Sequence, residues 1–179
     1  MSRQGFVQAM TPYAVADGTA VTAAATLTDA SPQPAIYLPP HVLGEYPGVR
    51  FEFLAWGYYT TNATATTVTF GAYSGTIGQA IGSATVLAVS SAITMVASST
   101  NRLWRIEGLF QMRSIGTSGT GIAIMEGSNI SSGGTDFAAT AAASTFTLDT
   151  TVARYLTIGF NASAAQSITC RYIVGEITN

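Results

Sequence analysis

Two side chains in this sequence have the chemistry of a general base or a nucleophile, and each is the only one of its type: His41 and Cys170. His41 lies in the Pro-rich segment 39–48, where its nearest carboxylate in sequence is Glu45. A histidine needs a nucleophile or an orienting partner to act as a base, and no such partner is indicated. Cys170 lies within an apolar strand pattern, which is typical of a small core side chain rather than a reactive thiol. The sequence therefore predicts a protein that is not an enzyme.

The nine carboxylates are the second source of possible chemistry. They lack the Asp-x-Asp spacing of a calcium loop, and a chain with one cysteine and one histidine has no zinc-ligand cluster. Two carboxylates could still meet across strands, as a glycosidase requires, but nothing in the sequence points to such a pair, and cross-strand pairing with arginine is the simpler interpretation. The Gly-rich segment 116–121 lacks the lysine and the helix of a phosphate-binding loop. We expect no metal and no cofactor.

Aromatic side chains are the remaining candidates for a binding surface. Trp56, Tyr58 and Tyr59 cluster at the end of one strand pattern, and other tyrosines lie near loops. An exposed aromatic platform can bind sugar, whereas aromatic residues more often fill a core or an oligomer interface. The candidate interface or ligand residues are Tyr13, Tyr37, Tyr46, Trp56, Tyr58 and Tyr59.

The segments that carry these residues have the composition of β-strands. Thr, Val, Ile, Tyr and Phe dominate them, turn residues separate them at short intervals, and strong helix formers are scarce. In 49–59 apolar and polar side chains alternate strictly, with Phe51 on one side and Arg50 on the other. The segment 102–115 repeats this design, so both are predicted to be half-buried strands.

Roughly ten or eleven such strands predict an all-β fold, an antiparallel β-sandwich. Long antiparallel partners near both ends of the chain favour a jelly-roll-like arrangement with the C-terminal strand central. The sandwich is predicted over residues 20–179, and residues 1–19 are predicted to form an extended N-terminal arm that reaches an adjacent subunit.

The low charge of the chain limits its class of partners. Only 9% of its residues are charged, none is lysine, and the formal net charge is −2, whereas an ordinary soluble domain is about 25% charged. Such a chain suits a fixed assembly, and without a basic excess it is not expected to bind nucleic acid. The stretch 53–101 carries no charge, yet polar residues interrupt it too often for a membrane helix. We expect this stretch to make protein–protein contacts.

The sequence says less about the cellular compartment of the protein than about its partners. A single cysteine excludes an intrachain disulfide, and the beginning of the sequence lacks the apolar core of a signal peptide. We therefore expect the chain to be made in a cytoplasm and to have no membrane partner.

Five segments combine strands and turns in a familiar way: TLTDASPQPAIYLP at 26–39, YPGVRFEFLAWGYY at 46–59, TFGAYSG at 69–75, LWRIEGLFQMRSIG at 103–116 and ITCRYIVGEI at 168–177. Together they resemble small structural proteins encoded in the virion gene clusters of tailed bacteriophages, particularly those of actinobacterial hosts. The resemblance spans about residues 20–179. It implies a capsid decoration (cement) protein, a β-sandwich bound to the outside of the head, commonly as a trimer, that stabilises the shell. The implied partners are the major capsid protein and further copies of the chain, and no active-site residue comes with the resemblance.

Other functions remain open at this point. A tail-fibre or baseplate component with a receptor-binding head would bind carbohydrate or cell wall through Trp56 and the neighbouring tyrosines. A trimeric signalling-type or lectin-like jelly roll from a cell is a further alternative.

For a capsid decoration protein, the expected location is the capsid surface of a virion, after synthesis in the host cytoplasm.

Overall fold

The computed structural model describes residues 8–9, 17–18, 20–22, 27–29, 31, 35–44, 47–64, 66–128, 137–138 and 144–178. Within these residues the chain forms β-strands and a short 3-10 turn at Ile81–Ser83. The strands are β1 (Gln8–Ala9), β2 (Thr28–Asp29), β3 (Ile36–Leu38), β4 (Arg50–Thr60), β5 (Thr67–Gly75), β6 (Thr85–Val89), β7 (Ile93–Thr94), β8 (Arg102–Met112), β9 (Gly119–Ser128), β10 (Phe137–Ala138), β11 (Ser144–Leu148), β12 (Arg154–Ala162) and β13 (Ser167–Thr178).

The strands form two antiparallel sheets that pack together, which confirms the predicted all-β sandwich. The first sheet has the order β1-β13-β4-β8-β9-β10, and β11 also pairs with β9. The second sheet has the order β2-β12-β5-β6, with β3 paired to β12 and β7 paired to β5. Long strands far apart in the chain are neighbours, β4 with β13 and β5 with β12.

The centre of the first sheet differs from the prediction. β4 lies between β13 and β8, so β4 and β8 are central, whereas the C-terminal strand β13 has beyond it only the short β1. The reason is long-range pairing: β4 is hydrogen-bonded along its whole length to β13 on one side and along most of its length to β8 on the other.

The strand β4 illustrates how the sequence pattern becomes a half-buried strand. Phe51, Phe53 and Ala55 are buried between the sheets, and the alternating Glu52 and Trp56 face outward. Successive side chains of a strand point to opposite faces, so a one-residue slip of β4 would turn its buried side chains towards solvent.

Aromatic rings join the two sheets. Trp104 of β8 is fully buried, and its ring centroid lies 5.7 Å from that of Phe70 and 5.1 Å from that of Phe160, both in the second sheet. Phe70 and Phe160 meet edge to face at 4.8 Å. Removing such a ring leaves a cavity that typically destabilises a protein by about 3–5 kcal/mol, so this contact is a main source of the sandwich's stability.

The free edge of β13 is covered by the chain's own N-terminal part. Beyond β1, the Gly18 N–H donates to the Cys170 carbonyl at 2.8 Å, and Val21 exchanges hydrogen bonds with Ile168. An unpaired strand edge invites pairing with other chains, and these bonds satisfy part of it. The described residues of the predicted arm thus contact their own domain, and the rest of 1–19 lies outside the described residues.

The uncharged stretch 53–101 does not form a single surface. Its first residues belong to β4 in the first sheet, and β5, β6 and β7 belong to the second sheet. The uncharged side chains of this stretch therefore reach the exterior mainly on the outer face of the second sheet.

Candidate functional site

The structure places Cys170 where its chemistry is suppressed. The thiol is fully buried, and it donates weakly to the carbonyl oxygens of Tyr172, at 3.5 Å, and Trp56, at 3.8 Å. Burial in apolar surroundings disfavours the thiolate and raises the pKa of Cys170 from 9.0 to about 12. The thiol is therefore protonated at neutral pH and is not a nucleophile.

His41 is exposed, in a turn with a positive φ of 64°. Its backbone N–H donates to the Thr150 carbonyl at 3.0 Å, which brings His41 close to Asp149. The Asp149 carboxylate is already engaged, because its Oδ1 accepts hydrogen bonds from the Thr151 hydroxyl at 2.6 Å and the Thr151 N–H at 2.9 Å. These two bonds are the main reason that the pKa of Asp149 is lowered. The arrangement is that of a turn-stabilising aspartate.

Two further kinds of site are absent from the part of the chain that the structure describes. No three or more His, Cys, Asp and Glu side chains converge there closely enough to hold a metal ion. None of its helices has the length and apolarity that a membrane crossing requires.

The candidate aromatic residues separate into distinct environments. Tyr59 is buried in the core, so it does not belong with the exposed candidates. Tyr37 is 40% exposed and packs on Tyr155 in the second sheet, with ring centroids 5.2 Å apart. Trp56 and Tyr58 lie together on the outer face of the first sheet, where their rings meet edge to face at 6.2 Å. Tyr13 and Tyr46 lie outside the described residues.

Two side chains that the sequence pattern does not assign to this site complete it. Tyr172 lies against Trp56 with ring centroids 5.8 Å apart, and the Arg171 guanidinium lies 5.2 Å from the centroid of Tyr58. Arg171 also forms an exposed ion pair with Asp17 at 3.3 Å. We call Trp56, Tyr58, Arg171 and Tyr172 the aromatic cluster.

A β-bulge explains why strict alternation misplaces Tyr172. The pairing of β13 with β4 shifts between Cys170 and Tyr172, so an extra residue enters one strand. Ile168 and Cys170 are buried before the shift, whereas Ile173 is buried after it. The period-two pattern predicts Tyr172 on the buried face with Cys170, which is wrong because the bulge reverses the alternation.

A groove of about 560 Å³ crosses the outer face of the first sheet beside the aromatic cluster. Its two walls are adjacent rows of outward side chains. Each wall takes one residue from each of β13, β4, β8 and β9, in that order. One wall consists of Glu176, Glu52, Leu109 and Ile124. The other wall consists of Val174, Leu54, Glu107 and Glu126. Each wall thus has an acidic pair and an aliphatic pair, placed so that an acidic pair on one wall faces an aliphatic pair on the other. We call this feature the acidic groove.

Comparison with known proteins adds no family to this description. No protein-family model matches the chain, and no curated protein matches its sequence.

Proposed function

We propose that this protein is a non-enzymatic decoration protein of a tailed-phage capsid, which binds the outer surface of the head as a trimer and stabilises the shell. The support from the sequence is the resemblance described above, whose segments overlap β2, β3, β4, β5, β8 and β13. The segments are thus the framework of the sandwich rather than a catalytic signature. The proposed partners are the major capsid protein and other copies of this chain.

The observation that carries this proposal is the outer face of the second sheet. On β12, β5 and β6 this face presents no charged side chain, and Asp29 of β2 lies at its margin. Its members include Tyr155, Thr157, Thr69 and Val86. A surface of hydroxyls, methyl groups and aromatic rings loses little hydration energy when another protein covers it, and a symmetric lattice repeats each weak contact many times.

The test adds purified protein to stripped heads of the phage that encodes it. We expect binding at fixed lattice points and a higher temperature of head disruption. Val86→Arg places a charge on the uncharged face and should weaken binding, whereas Leu103→Arg is a matched control on the other sheet. The two residues are 48% and 43% exposed. Absence of affinity of the unaltered protein for heads would refute the proposal, and equal binding by both variants would exclude the second sheet as the contact.

The aromatic cluster favours a second candidate function, a carbohydrate-binding module of a tail fibre or baseplate. Trp56 and Tyr172 offer half-exposed rings, and Arg171 offers guanidinium donors beside them. Sugars stack on such rings through their apolar faces. A glycan array should then give a signal that Trp56→Ala abolishes and Tyr37→Ala, in the tyrosine pair on the opposite sheet, leaves unchanged. An array without signal would exclude this alternative.

A further inference from the structure

The acidic groove has an arrangement that the fold itself does not need. Glu52 is directly opposite Glu176 across β4 and β13, and Glu107 is directly opposite Glu126 across β8 and β9. Like charges in direct cross-strand register destabilise a sheet. On an outer face that faces solvent, neutral polar residues would avoid this cost, so the two pairs call for a compensating partner.

The positive charges on the same face compensate only part of this excess. Arg105 Nη2 lies 3.2 Å from Glu107 Oε1, but both side chains are about half exposed, at 49% and 58%. The ion pair is therefore weak, and a partner's cation can replace Arg105 in it. Arg50 lies one row beyond Glu52, on the far side from the groove. Arg171, in the aromatic cluster on the same face, is paired with Asp17, so four carboxylates against the guanidinium groups of Arg50 and Arg105 leave a net charge of −2 around the groove.

We propose that the acidic groove binds an extended segment of a partner protein that carries arginine or lysine at two positions four residues apart, with an aliphatic residue midway between them. The proposal does not depend on the decoration function proposed above. It concerns a different face of the sandwich from the one on which that function rests.

The spacing of the acidic pairs specifies this pattern. Their centres are two strand spacings apart across the sheet and two residues apart along it, which places them about 12 Å from each other. In an extended segment, residues i and i+4 lie on the same face and are about 13 Å apart. One cation can therefore reach Glu52 and Glu176 while the other reaches Glu107 and Glu126.

The middle of the groove specifies the intervening residue. Leu54 and Leu109, on the adjacent strands β4 and β8, stand on opposite walls at its centre. Residue i+2 of an extended segment points to the same side as i and i+4, so it enters between these two leucines. An aliphatic side chain there would bury apolar surface of both, and the methylenes of the flanking arginines would cover Val174 and Ile124.

The chain itself does not supply the required segment. None of its seven arginines has another arginine four residues away, and it has no lysine. A second copy of the chain therefore lacks the pattern, and a partner of a different sequence is the occupant that fits.

The test measures binding of blocked peptides to the full chain by titration calorimetry. The probe is Ser-Arg-Thr-Val-Thr-Arg-Ser, and the control, Ser-Arg-Thr-Val-Arg-Thr-Ser, has the same composition with its arginines three residues apart and hence on opposite faces. We expect the probe to bind at least about tenfold more tightly than the control at low salt. Glu52→Gln combined with Glu126→Gln should reduce affinity for the probe by about tenfold or more, because it removes one charge from each pair.

Matched outcomes distinguish this site from general charge attraction. Asp17→Asn removes a carboxylate outside the groove, and this variant should bind the probe as the unaltered protein does. Equal affinity for the two peptides, no measurable binding of the probe, or an equal loss in the Asp17 variant would each overturn the proposal. Competition by spermine at the same concentration as the probe would show that the groove accepts any polycation, which also overturns it.

Discussion

The two sheets contribute to one shared core, but their outer faces differ in chemistry. The exterior of the first sheet carries four glutamates, Arg50, Arg105 and the aromatic cluster with its Arg171, whereas the exterior of β12, β5 and β6 in the second sheet is uncharged. In a chain with so few charges, their concentration on one face is informative. Charge here is not distributed to keep the whole surface solvated, so the two faces are suited to different partners.

The backbone of the two faces differs as well. In the first sheet, the bulge between Cys170 and Tyr172 turns an aromatic ring outward and leaves Cys170 inside. In the second sheet, the ring of Tyr73 lies against Gly71 and Gly159 on the outer face and is itself largely buried. The second sheet also has a register shift, between Ala72 and Tyr73 in the pairing of β5 with β6, so its outer face is distinguished by the glycines that leave room for a ring.

The largest expected effect is a loss of folding stability at alkaline pH that is caused by the buried Cys170 thiol of the first sheet. Folding raises the pKa of Cys170 from 9.0 to about 12, so the folded chain keeps a proton that the unfolded chain releases. The stabilisation is complete below pH 9 and is lost as pH rises towards 12, by about 4 kcal/mol at 1.36 kcal/mol per pKa unit. Burial also raises the pKa of Tyr73 and Tyr59 above 10.0, so their contributions are lost only at higher pH.

The measurement is denaturant unfolding at pH 8, 9 and 10. The unaltered protein should lose stability over this range, and Cys170→Ala should lose much less. An identical loss in both proteins would show that the thiol is not the responsible group.

The second effect tests the bulge through Gly57. A Cβ at this position would lie 1.9 Å from the Thr169 carbonyl oxygen and 2.9 Å from the Cys170 Cα, both of which are backbone atoms. Gly57→Ala should therefore destabilise the protein by about 3 kcal/mol, because the strands must separate or the bulge must move. Gly82→Ala, where nothing lies within 4 Å of the added carbon, is the control. Comparable unfolding midpoints for the two variants would contradict this account of the first sheet.

The third effect is the corresponding test of the second sheet. A Cβ on Gly71 would lie 2.5 Å from the Tyr73 ring, so Gly71→Ala should displace the ring and destabilise the protein by about 2 kcal/mol. The displaced ring would be solvated, and the pKa of Tyr73 should fall towards its ordinary value of 10.0 in a spectroscopic titration. Gly75→Ala on the same strand has no neighbour closer than 3.4 Å and should change neither quantity.

The smallest expected effect is a change in stability when one glutamate is removed from the charged outer face of the first sheet. Glu52→Gln removes one member of a like-charge pair and should stabilise the protein by about 0.5 kcal/mol. Added salt should stabilise the unaltered protein more than this variant, since screening acts on the same repulsion. Asp17→Asn loses an exposed ion pair with Arg171 and should be neutral or slightly destabilising. Destabilisation by Glu52→Gln would contradict this account, because it would mean that the Glu52 and Glu176 pair stabilises the sheet.

Much of the strand framework is predictable from the sequence, and the site is only partly so. Alternation in β4 and β8 identifies their buried and exposed faces, and it places Trp56 on the exterior with Arg50. The burial of Tyr59 also follows the same alternation, but its clustering with aromatic neighbours in sequence suggested a surface role. Tyr172 and Arg171 could not be assigned because a bulge depends on the partner strand and leaves no mark in a periodic pattern.

By itself, the sequence determined the fold class, the scarcity of charge and the face to which each residue of a regular strand belongs. These properties follow from composition and from period-two alternation, which are local. Only the tertiary structure decided which strands are neighbours, and hence that Glu52, Glu107, Glu126 and Glu176 line one groove. It also decided where the alternation of β13 breaks. Both depend on hydrogen bonds between segments far apart in the chain, and such pairings are selected by the packing of the whole sandwich rather than by any single strand.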